Sequence, residues 1–300
     1  MPKQPLVSVI MPAYNCANYV NQAIDSILNQ SYQNFELLVA DDRSKDDTKL
    51  KIDAYSDSRI KTFHNSINQG YLVASNLLME KARGEYIMFQ DADDFCALNR
   101  IEILLAKLQL DDKLYAVGSN AITVDENGKT IKQSSFPLNH EEIMEHFCKY
   151  RNPIIGSALM FKSEVLKTIG LYNLYFNRIG YEDYYWYSLI VERYKVANVD
   201  SALYYYRANP DSVSNKNRSF KSLYGFEAIV YYLNERLNGR ADDIASGNLM
   251  KINLTMGRFY VSRMLRDKKK ISVKDIFSVS DNLGVAVRLY LFKLKKKYAQ

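Results

Sequence analysis

The sequence predicts a doubly wound α/β protein, because short apolar segments alternate with segments of helical periodicity up to about residue 90. The composition agrees with a folded chain that has a sizeable core, since 47% of the 300 residues are hydrophobic and 25% are charged. Disordered and collagen-like chains are excluded by these values. Acidic residues directly follow predicted strands, and ligands of open α/β sheets bind at such strand ends, so we expect a ligand site there.

The elements up to residue 94 follow one another in regular order. Residues 6–11 are apolar, rich in β-branched side chains and stopped by Pro12, which is typical of a buried strand. A helix is expected to follow, with Asn18 as its N-cap residue. Further strands are predicted at 35–40, 60–64 and 85–90. One helix, which carries Leu50 and Ile52, is expected between the first two of them, and a second helix is expected at 71–82.

The order of elements changes after residue 94. The pattern predicts strands at 114–118 and 121–124, a turn at 125–128, a strand at 157–161, a helix at 182–193 and strands at 196–199 and 202–206. From about residue 219 the periodicity is helical. We therefore expect an α/β domain at 1–218 and a C-terminal helical region at 219–300 that packs on it.

The formal charge of +6 is unevenly distributed along the chain. Residues 258–300 contain twelve Lys or Arg against three Asp, a charge of +9, which leaves −3 for the preceding residues. The cysteines Cys16, Cys96 and Cys148 lie far apart and are odd in number, so we expect no disulfide framework. No apolar run is long enough to span a bilayer and no targeting segment is visible, so a cytoplasmic location is expected.

Three predicted strands end in polar clusters, at 12–15, 41–44 and 91–94. The pair Asp91 and Asp93 ends an apolar strand and brings like charges together, which costs repulsion unless a cation neutralises them. Carboxylates without nearby Cys or His suit Mg²⁺ or Mn²⁺ rather than zinc. The chain has no P-loop motif and no glycine-rich dinucleotide fingerprint, which argues against P-loop nucleotide hydrolysis and dinucleotide redox chemistry.

The sequence resembles glycosyltransferase family 2 over about residues 5–215, because five segments occur in the order found in that family. They are VSVIMPAYN at 7–15, FELLVADDRS at 35–44, NQG at 68–70, GEYIMFQDADD at 84–94 and YEDY at 181–184. The resemblance implies the GT-A fold, a Rossmann-like mixed sheet flanked by helices, with a nucleotide-sugar donor and an inverting mechanism. The family motifs do not cover the C-terminal helical extension.

The same resemblance implies roles for residues at the strand ends. Asp42 would accept a hydrogen bond from the base, which uracil would fit, Asp91 would lie near the ribose, and Asp93 would hold the Mn²⁺ or Mg²⁺ ion of the diphosphate. Arg207 could bind a phosphate oxygen, although Asn209 stands where the family commonly has His. The residues expected to line or cover the nucleotide are Pro12, Ala13, Tyr14, Asn68 and Gly70.

Asp183 matches the catalytic base of the family. A single inverting displacement needs a carboxylate that accepts the proton of the acceptor hydroxyl as its oxygen attacks the anomeric carbon. Neighbouring helical residues point about 100° apart, so we expect Asp183 to face the site and Glu182 to support it or to bind the acceptor. Trp186 lies one turn beyond Asp183 and is the candidate for contact with a sugar.

Two classes of function remain open from the sequence. The first is a metal-dependent glycosyltransferase that moves a hexose or N-acetylhexosamine from a UDP-sugar to a saccharide acceptor, free or lipid-linked, in capsule, lipooligosaccharide or other bacterial surface-glycan synthesis. The second is a non-catalytic scaffold that binds nucleotide-sugar or glycan, against which the intact acidic residues argue. A third hypothesis, a phosphohydrolase with Asp91 as nucleophile, lacks the basic residues that such a site needs.

The basic C-terminal end allows three interpretations. In residues 285–298 a helical face carries Val287, Leu291, Leu294 and Tyr298, and Lys or Arg side chains occupy much of the remainder. Such a helix can lie peripherally on an anionic membrane surface, or it can pack its apolar stripe on the domain. Nucleic acid is disfavoured as a partner, since no recognition motif accompanies the charge.

Overall fold

The computed structural model of the chain describes residues 4–149, 151–208, 220–266, 276 and 283–298. Its strands are β1 Val7–Ala13, β2 Phe35–Asp41, β3 Ile60–His64, β4 Tyr86–Phe89, β5 Phe95–Cys96, β6 Leu114–Val124, β7 Thr130–Gln133, β8 Met160–Lys162 and β9 Lys195–Arg207. Its helices are α1 Val20–Leu28, α2 Thr48–Asp53, α3 Tyr71–Lys81, α4 Arg100–Gln109, α5 His140–Cys148, α6 Val165–Ile169, α7 Glu182–Arg193, α8 Phe220–Leu237, α9 Leu249–Arg266 and α10 Leu283–Tyr298.

One mixed sheet organises the described part of the α/β region, with strand order β3-β2-β1-β4-β8-β6-β9-β5 and β7 paired to β6. Strands β3, β2, β1 and β4 are parallel, as the alternation of strands and helices predicts. Strand β8 then runs antiparallel to both β4 and β6, while β6 and β9 are parallel to each other. The carboxyl ends of β1, β2 and β4 therefore meet at one edge of the sheet.

The predicted elements are largely present, with differences at their boundaries. The strands predicted at 114–118 and 121–124 form the single strand β6, and the last two predicted strands form the single strand β9. The segment 157–161 begins as a short 3₁₀ turn at Gly156–Ala158 and continues as β8 after Leu159. Asn18 is not the N-cap of α1, which begins at Val20 after Tyr19 without a side-chain cap.

The sheet has a buried core on each face. Along β1, Ile10 faces the side that holds α3 and α7, whereas Val9 and Met11 face the side that holds α1 and α4. Both faces are therefore covered by helices, which explains why β1 and β2 are buried along their whole length.

The helices α8 and α9 pack on the α/β region, as predicted. Phe226 of α8 contacts Tyr184 of α7 with ring centroids 4.5 Å apart. Arg236 of α8 pairs with Glu192 of α7 at 2.5 Å and with Asp242 at 2.5 Å. The predicted domain division between residues 218 and 219 falls outside the described residues and stays a prediction.

The last helix, α10, packs on α9 through a different stripe from the one expected. Val285, Ala286 and Leu289 are buried against α9, whereas Val287 and Leu291 are 49% and 59% exposed. Val287 and Leu291, two members of the apolar face described in the sequence analysis, therefore do not pack on the domain. Among the described residues, no helix combines the length and the apolar character needed to cross a membrane.

Candidate active site

The loops that follow β1 and β2 are joined to each other at the carboxyl edge of the sheet. The Asn15 amide donates to Ser44 Oγ at 3.0 Å, and the Lys45 amide donates to Asn15 Oδ1 at 2.8 Å. Of the residues expected to line the nucleoside, Pro12 and Ala13 are buried at the end of β1, while Tyr14 is 43% exposed. Tyr14 therefore offers the accessible ring on this rim.

Asp42 is brought together with Asn68 and Gly70, as the motifs predict. The buried Asp42 carboxylate accepts hydrogen bonds from Asn65 Nδ2 at 2.7 Å, the Gln69 amide at 2.9 Å and the Gly70 amide at 2.7 Å. Asn68 Nδ2 donates to the Asp42 carbonyl at 3.2 Å. The carboxylate thus fixes the loop 65–70, and a nucleobase would have to share it with these donors.

The segment before α7 closes over the loop 65–70, a contact that the motifs did not indicate. Arg178 Nη2 donates to the Asn68 carbonyl at 2.8 Å and to Asn68 Oδ1 at 2.7 Å. Gly70 has a φ of 97°, and a Cβ there would lie 2.6 Å from Asn177 Oδ1. Only a glycine permits this approach without strain. Arg178 and Asn177 lie just before the Glu182–Asp183 pair, which is the one signal the sequence offers for them.

The acidic residues after β4 have three different surroundings. The Tyr71 hydroxyl donates to Asp91 Oδ1 at 3.0 Å. The Asp94 carboxylate is buried and accepts from the Tyr204 hydroxyl at 2.7 Å and from the Arg207 amide at 2.7 Å. Within the described parts of the chain, no other residue donates to the Asp93 carboxylate, and burial together with the Asp91 charge raises the pKa of Asp93 to about 6.

The surroundings of Asp93 fit a hard divalent cation. Its oxygens are free of other described donors, and a neighbouring cation would offset the burial and like-charge repulsion that raise its pKa. The described residues contain no group of three or more His, Cys, Asp or Glu side chains arranged around a metal. An ion held by Asp93 would therefore take further ligands from water or phosphate, the usual pattern for Mg²⁺.

Arg207 donates its hydrogen bonds to groups of the protein, and the phosphate contact expected for it stays a prediction. The guanidinium donates from Nε to the Asp93 carbonyl at 3.0 Å, from Nη1 to the Glu126 carbonyl at 2.8 Å and from Nη2 to Gln22 Oε1 at 2.6 Å. The side chain is 3% exposed and lies over the Tyr19 ring. The five-donor fork matches fixed carbonyl groups here, so Arg207 anchors the Asp93 backbone. Asn209 and 212–214 lie outside the described residues.

Glu182 and Asp183 begin α7 and face the same cluster of carboxylates. Asp183 Oδ1 accepts from the Tyr184 amide at 2.6 Å, and a Cβ at Gly156 would lie 2.6 Å from Asp183 Oδ2. Burial raises the pKa of Asp183, and the charge of Asp91 raises it further. Burial and the neighbouring charge of Asp183 also raise the pKa of Glu182. The structure therefore brings the predicted base and the acids after β4 into electrostatic contact.

Trp186 belongs to the core, so the sugar contact expected for it is not supported. It is 1% exposed, its Nε1 donates to the Gly170 carbonyl at 2.8 Å, and its ring packs edge-on against Phe161 at 5.0 Å. A large ring at this helical position gains more from burial than from exposure. The aromatic residues that bond to the acids after β4 are Tyr71, on Asp91, and Tyr204, on Asp94, and the sequence patterns did not single them out as site residues.

The cysteines do not contribute nucleophiles to this site. Cys16 and Cys96 are buried, and burial raises the pKa of the Cys16 thiol to about 12. All three cysteines are free. Both buried thiols serve as packing groups.

Comparisons with known proteins agree with these features. The family model described as "Glycosyl transferase family 2" matches residues 8–170. An uncharacterised glycosyltransferase of Haemophilus influenzae is 33% identical over 248 residues, which are 77% of this chain and 75% of that protein. WfaP of Escherichia coli, a UDP-Glc:alpha-D-GlcNAc-diphosphoundecaprenol beta-1,3-glucosyltransferase, is 30% identical over 210 residues, 70% of this chain and 80% of WfaP.

The fold is also similar to that of solved structures. The crystal structure of S. aureus TarS 1-349 with UDP-GlcNAc superposes with a TM-score of 0.62 at 18% identity, over 95% of this chain and 79% of that one. At this identity the likeness concerns the fold, and it confirms the GT-A architecture expected from the sequence.

Proposed function

Because the chain belongs to glycosyltransferase family 2, we propose that it transfers a hexose or N-acetylhexosamine from a UDP-sugar to a saccharide hydroxyl with inversion at the anomeric carbon. The observation that carries the proposal is the meeting of Asp91, Asp93 and Asp183 at one strand-end edge beside the loop 65–70. The acids after β4 suit charge neutralisation at the leaving diphosphate, through a cation. Asp183 suits proton acceptance from the attacking hydroxyl.

The donor pocket would lie between the first two strand-end loops and the loop 65–70. Tyr14 offers an accessible ring, and Asp42 and Asn68 offer polar groups at the place where the family motifs put the nucleoside. A uridine nucleotide is favoured by the relatives, because WfaP is named for UDP-Glc and TarS was crystallised with UDP-GlcNAc. Asp91, fixed by the Tyr71 hydroxyl, would lie near the ribose.

Asp183 would act as the base. Its buried carboxylate would accept the proton of the acceptor hydroxyl while that oxygen attacks the anomeric carbon from the side opposite the diphosphate. Glu182 would support it or bind the acceptor. A divalent ion at Asp93, Mn²⁺ or Mg²⁺, would supply charge neutralisation for the leaving diphosphate. Arg207 would contribute by holding the Asp93 backbone in place.

We further propose a lipid-linked saccharide as the acceptor, in the synthesis of a bacterial surface glycan. The support comes from two relatives in Escherichia coli, WfgD and WfaP, whose names give alpha-D-GlcNAc-diphosphoundecaprenol as acceptor. Transfer to such an acceptor would place the enzyme in the cytoplasm, peripherally at the inner face of the membrane.

The test is a panel of nucleotide-sugars with Mn²⁺, read first by thermal shift and then by release of UDP in the presence of a GlcNAc-diphospholipid. A selective UDP-sugar should raise the melting temperature by mass action, and acceptor should accelerate the release of UDP. If no nucleotide-sugar is bound, the proposal is wrong. Binding without any release of UDP would instead identify a scaffold.

A further inference from the structure

The orientation of α10 on the protein is fixed by close packing against α9. Leu289 lies against Gly257, where an added Cβ would be 2.3 Å from Leu289 Cδ1. Val285 and Ala286 are buried in the same cluster, together with Leu254 and Val261 of α9. One side of α10 is therefore buried against α9.

The opposite side of α10 exposes a second apolar stripe. Val287, Tyr290 and Leu291 are 49%, 37% and 59% exposed. A helix turns about 100° per residue, which places these three positions on the side away from Val285 and Leu289. Packing on α9 therefore leaves large apolar side chains facing outward, and such a patch marks an interaction surface.

Positive charges flank the exposed stripe. Arg288 and Lys295 are exposed along one border, and Lys293 Nζ lies 5.7 Å from the centre of the Tyr290 ring on the other. Residues 283–298 contain no Asp or Glu. An apolar stripe bordered by cations is complementary to a lipid surface, whose acyl chains are apolar and whose headgroups can carry negative charge.

We propose that this face of α10, formed by Val287, Arg288, Tyr290, Leu291 and Lys295, docks on an anionic lipid surface. The apolar side chains would enter the boundary between headgroups and acyl chains, while the cations would meet acidic headgroups. A nucleic acid would pair with the cations but leave the apolar stripe in water. The purpose of the docking rests on the proposed function, because it would bring the active site to a lipid-linked acceptor.

The experiment measures binding of the full chain to vesicles of phosphatidylcholine with phosphatidylglycerol and to vesicles of phosphatidylcholine alone, without donor or acceptor. Two variants address the two parts of the face, Val287→Ser with Leu291→Ser and Arg288→Gln with Lys295→Gln. The matched control carries Lys107→Gln on α4 and Leu110→Ser at the residue that follows it, where both side chains are exposed. Circular dichroism and UDP release in solution report whether each variant is folded.

The wild type should bind the anionic vesicles, less at high salt, and bind the neutral vesicles weakly. Each α10 variant should lower binding about 10-fold or more, since one removes the apolar contact with the lipid and the other removes two charges that meet acidic headgroups. The control should bind like the wild type. A wild type that stays in solution with anionic vesicles, or variants that bind as it does, would overturn the proposal. Binding to RNA or an acidic peptide without vesicle binding would overturn it as well.

Discussion

Asp183 holds Oδ1 on the Tyr184 amide and places Oδ2 against Gly156, so its carboxylate is confined in one orientation. Replacement of Asp183 with Asn keeps this shape but removes proton acceptance. We expect kcat to fall by roughly 100-fold or more, the range for general bases, while the affinity for UDP-sugar stays within about twofold. Steady-state kinetics and calorimetry measure the two quantities.

Glu182→Gln is the matched comparison for that variant, because Glu182 is adjacent and shares the same burial. We expect a smaller loss of kcat for it than for Asp183→Asn. The base would have to be reassigned if the order of the two losses were reversed.

Asp93→Asn tests the cation site. The amide keeps the size of the side chain and loses the charge, so UDP binding should become independent of Mn²⁺ and weaken by about 10-fold or more in its presence. Titration calorimetry with and without Mn²⁺ measures this. Asp47→Asn, an exposed acid on the loop after β2, serves as control and should bind UDP with Mn²⁺ as the wild type does. Equal Mn²⁺ dependence of Asp93→Asn and the wild type would contradict the role.

The sequence predicted which acids lie at the strand ends, but it could not predict what each side chain meets there. Arg207 and Trp186 show the reason. Their residue types suit phosphate and sugar, yet backbone carbonyls from distant loops take the Arg207 donors and an aromatic core encloses Trp186. These partners are far away along the chain, so local spacing carries no signal for them.

At the scale of the element, the contact between α7 and α8 depends on one buried cation. Arg236 donates to Glu192, Asp242 and Ser188 Oγ, and its side chain is 8% exposed. Arg236→Ala should lower the free energy of unfolding by about 3–5 kcal/mol, because Glu192 and Asp242 would lose the cation that neutralises them. Urea denaturation measures the loss.

Arg240→Ala is the control for that change, since Arg240 is on the surface and pairs with Glu235. Exposed pairs contribute about 0–1 kcal/mol, so this variant should unfold close to the wild-type midpoint. Similar losses for both variants would mean that burial of the Arg236 pair is not what stabilises the interface.

Element types were predictable from periodicity, whereas some boundaries were not. Polar residues at 119–120 suggested a break between two strands, yet β6 continues through them. Asn120 can be buried there because its Oδ1 accepts from the Phe136 amide at 2.8 Å and its Nδ2 donates to the Asp200 carbonyl at 3.0 Å. The hydrogen-bonding partners of such a buried polar residue lie far away along the chain, so its local sequence resembles a loop.

At the scale of the whole molecule, the two edges of the sheet respond oppositely to pH. At the amino edge, the buried Glu36 accepts from Lys61 and Arg83, and although burial opposes it, these bonds lower its pKa to about 2. At the carboxyl edge, burial raises the pKa of Asp93 to about 6. Glu36 therefore stabilises the fold above its unfolded pKa and stops doing so as the pH falls toward 2, whereas protonated Asp93 stabilises it at low pH and stops doing so as the pH rises through 6.

Without divalent ions, we therefore expect the free energy of unfolding to be greatest near pH 4 and to decline by on the order of 2 kcal/mol as the pH rises through 6. Urea denaturation at a series of pH values, with chelator present, measures the curve. In Asp93→Asn the decline should shrink, which is the control for its cause. A free energy of unfolding that keeps rising to pH 8 would contradict the assignment.

The continuous core of α7, α8 and α9 has a consequence for how such chains can recombine. Tyr184, Phe226 and Ile229 belong to one cluster, so the helix that carries Asp183 and the helices beyond the family motifs are fitted to each other. A chimera that joins the first part of this chain to the end of a relative should fold only if α7 is inherited together with α8. Such recombination would therefore have to exchange α7, α8 and α9 together as one block.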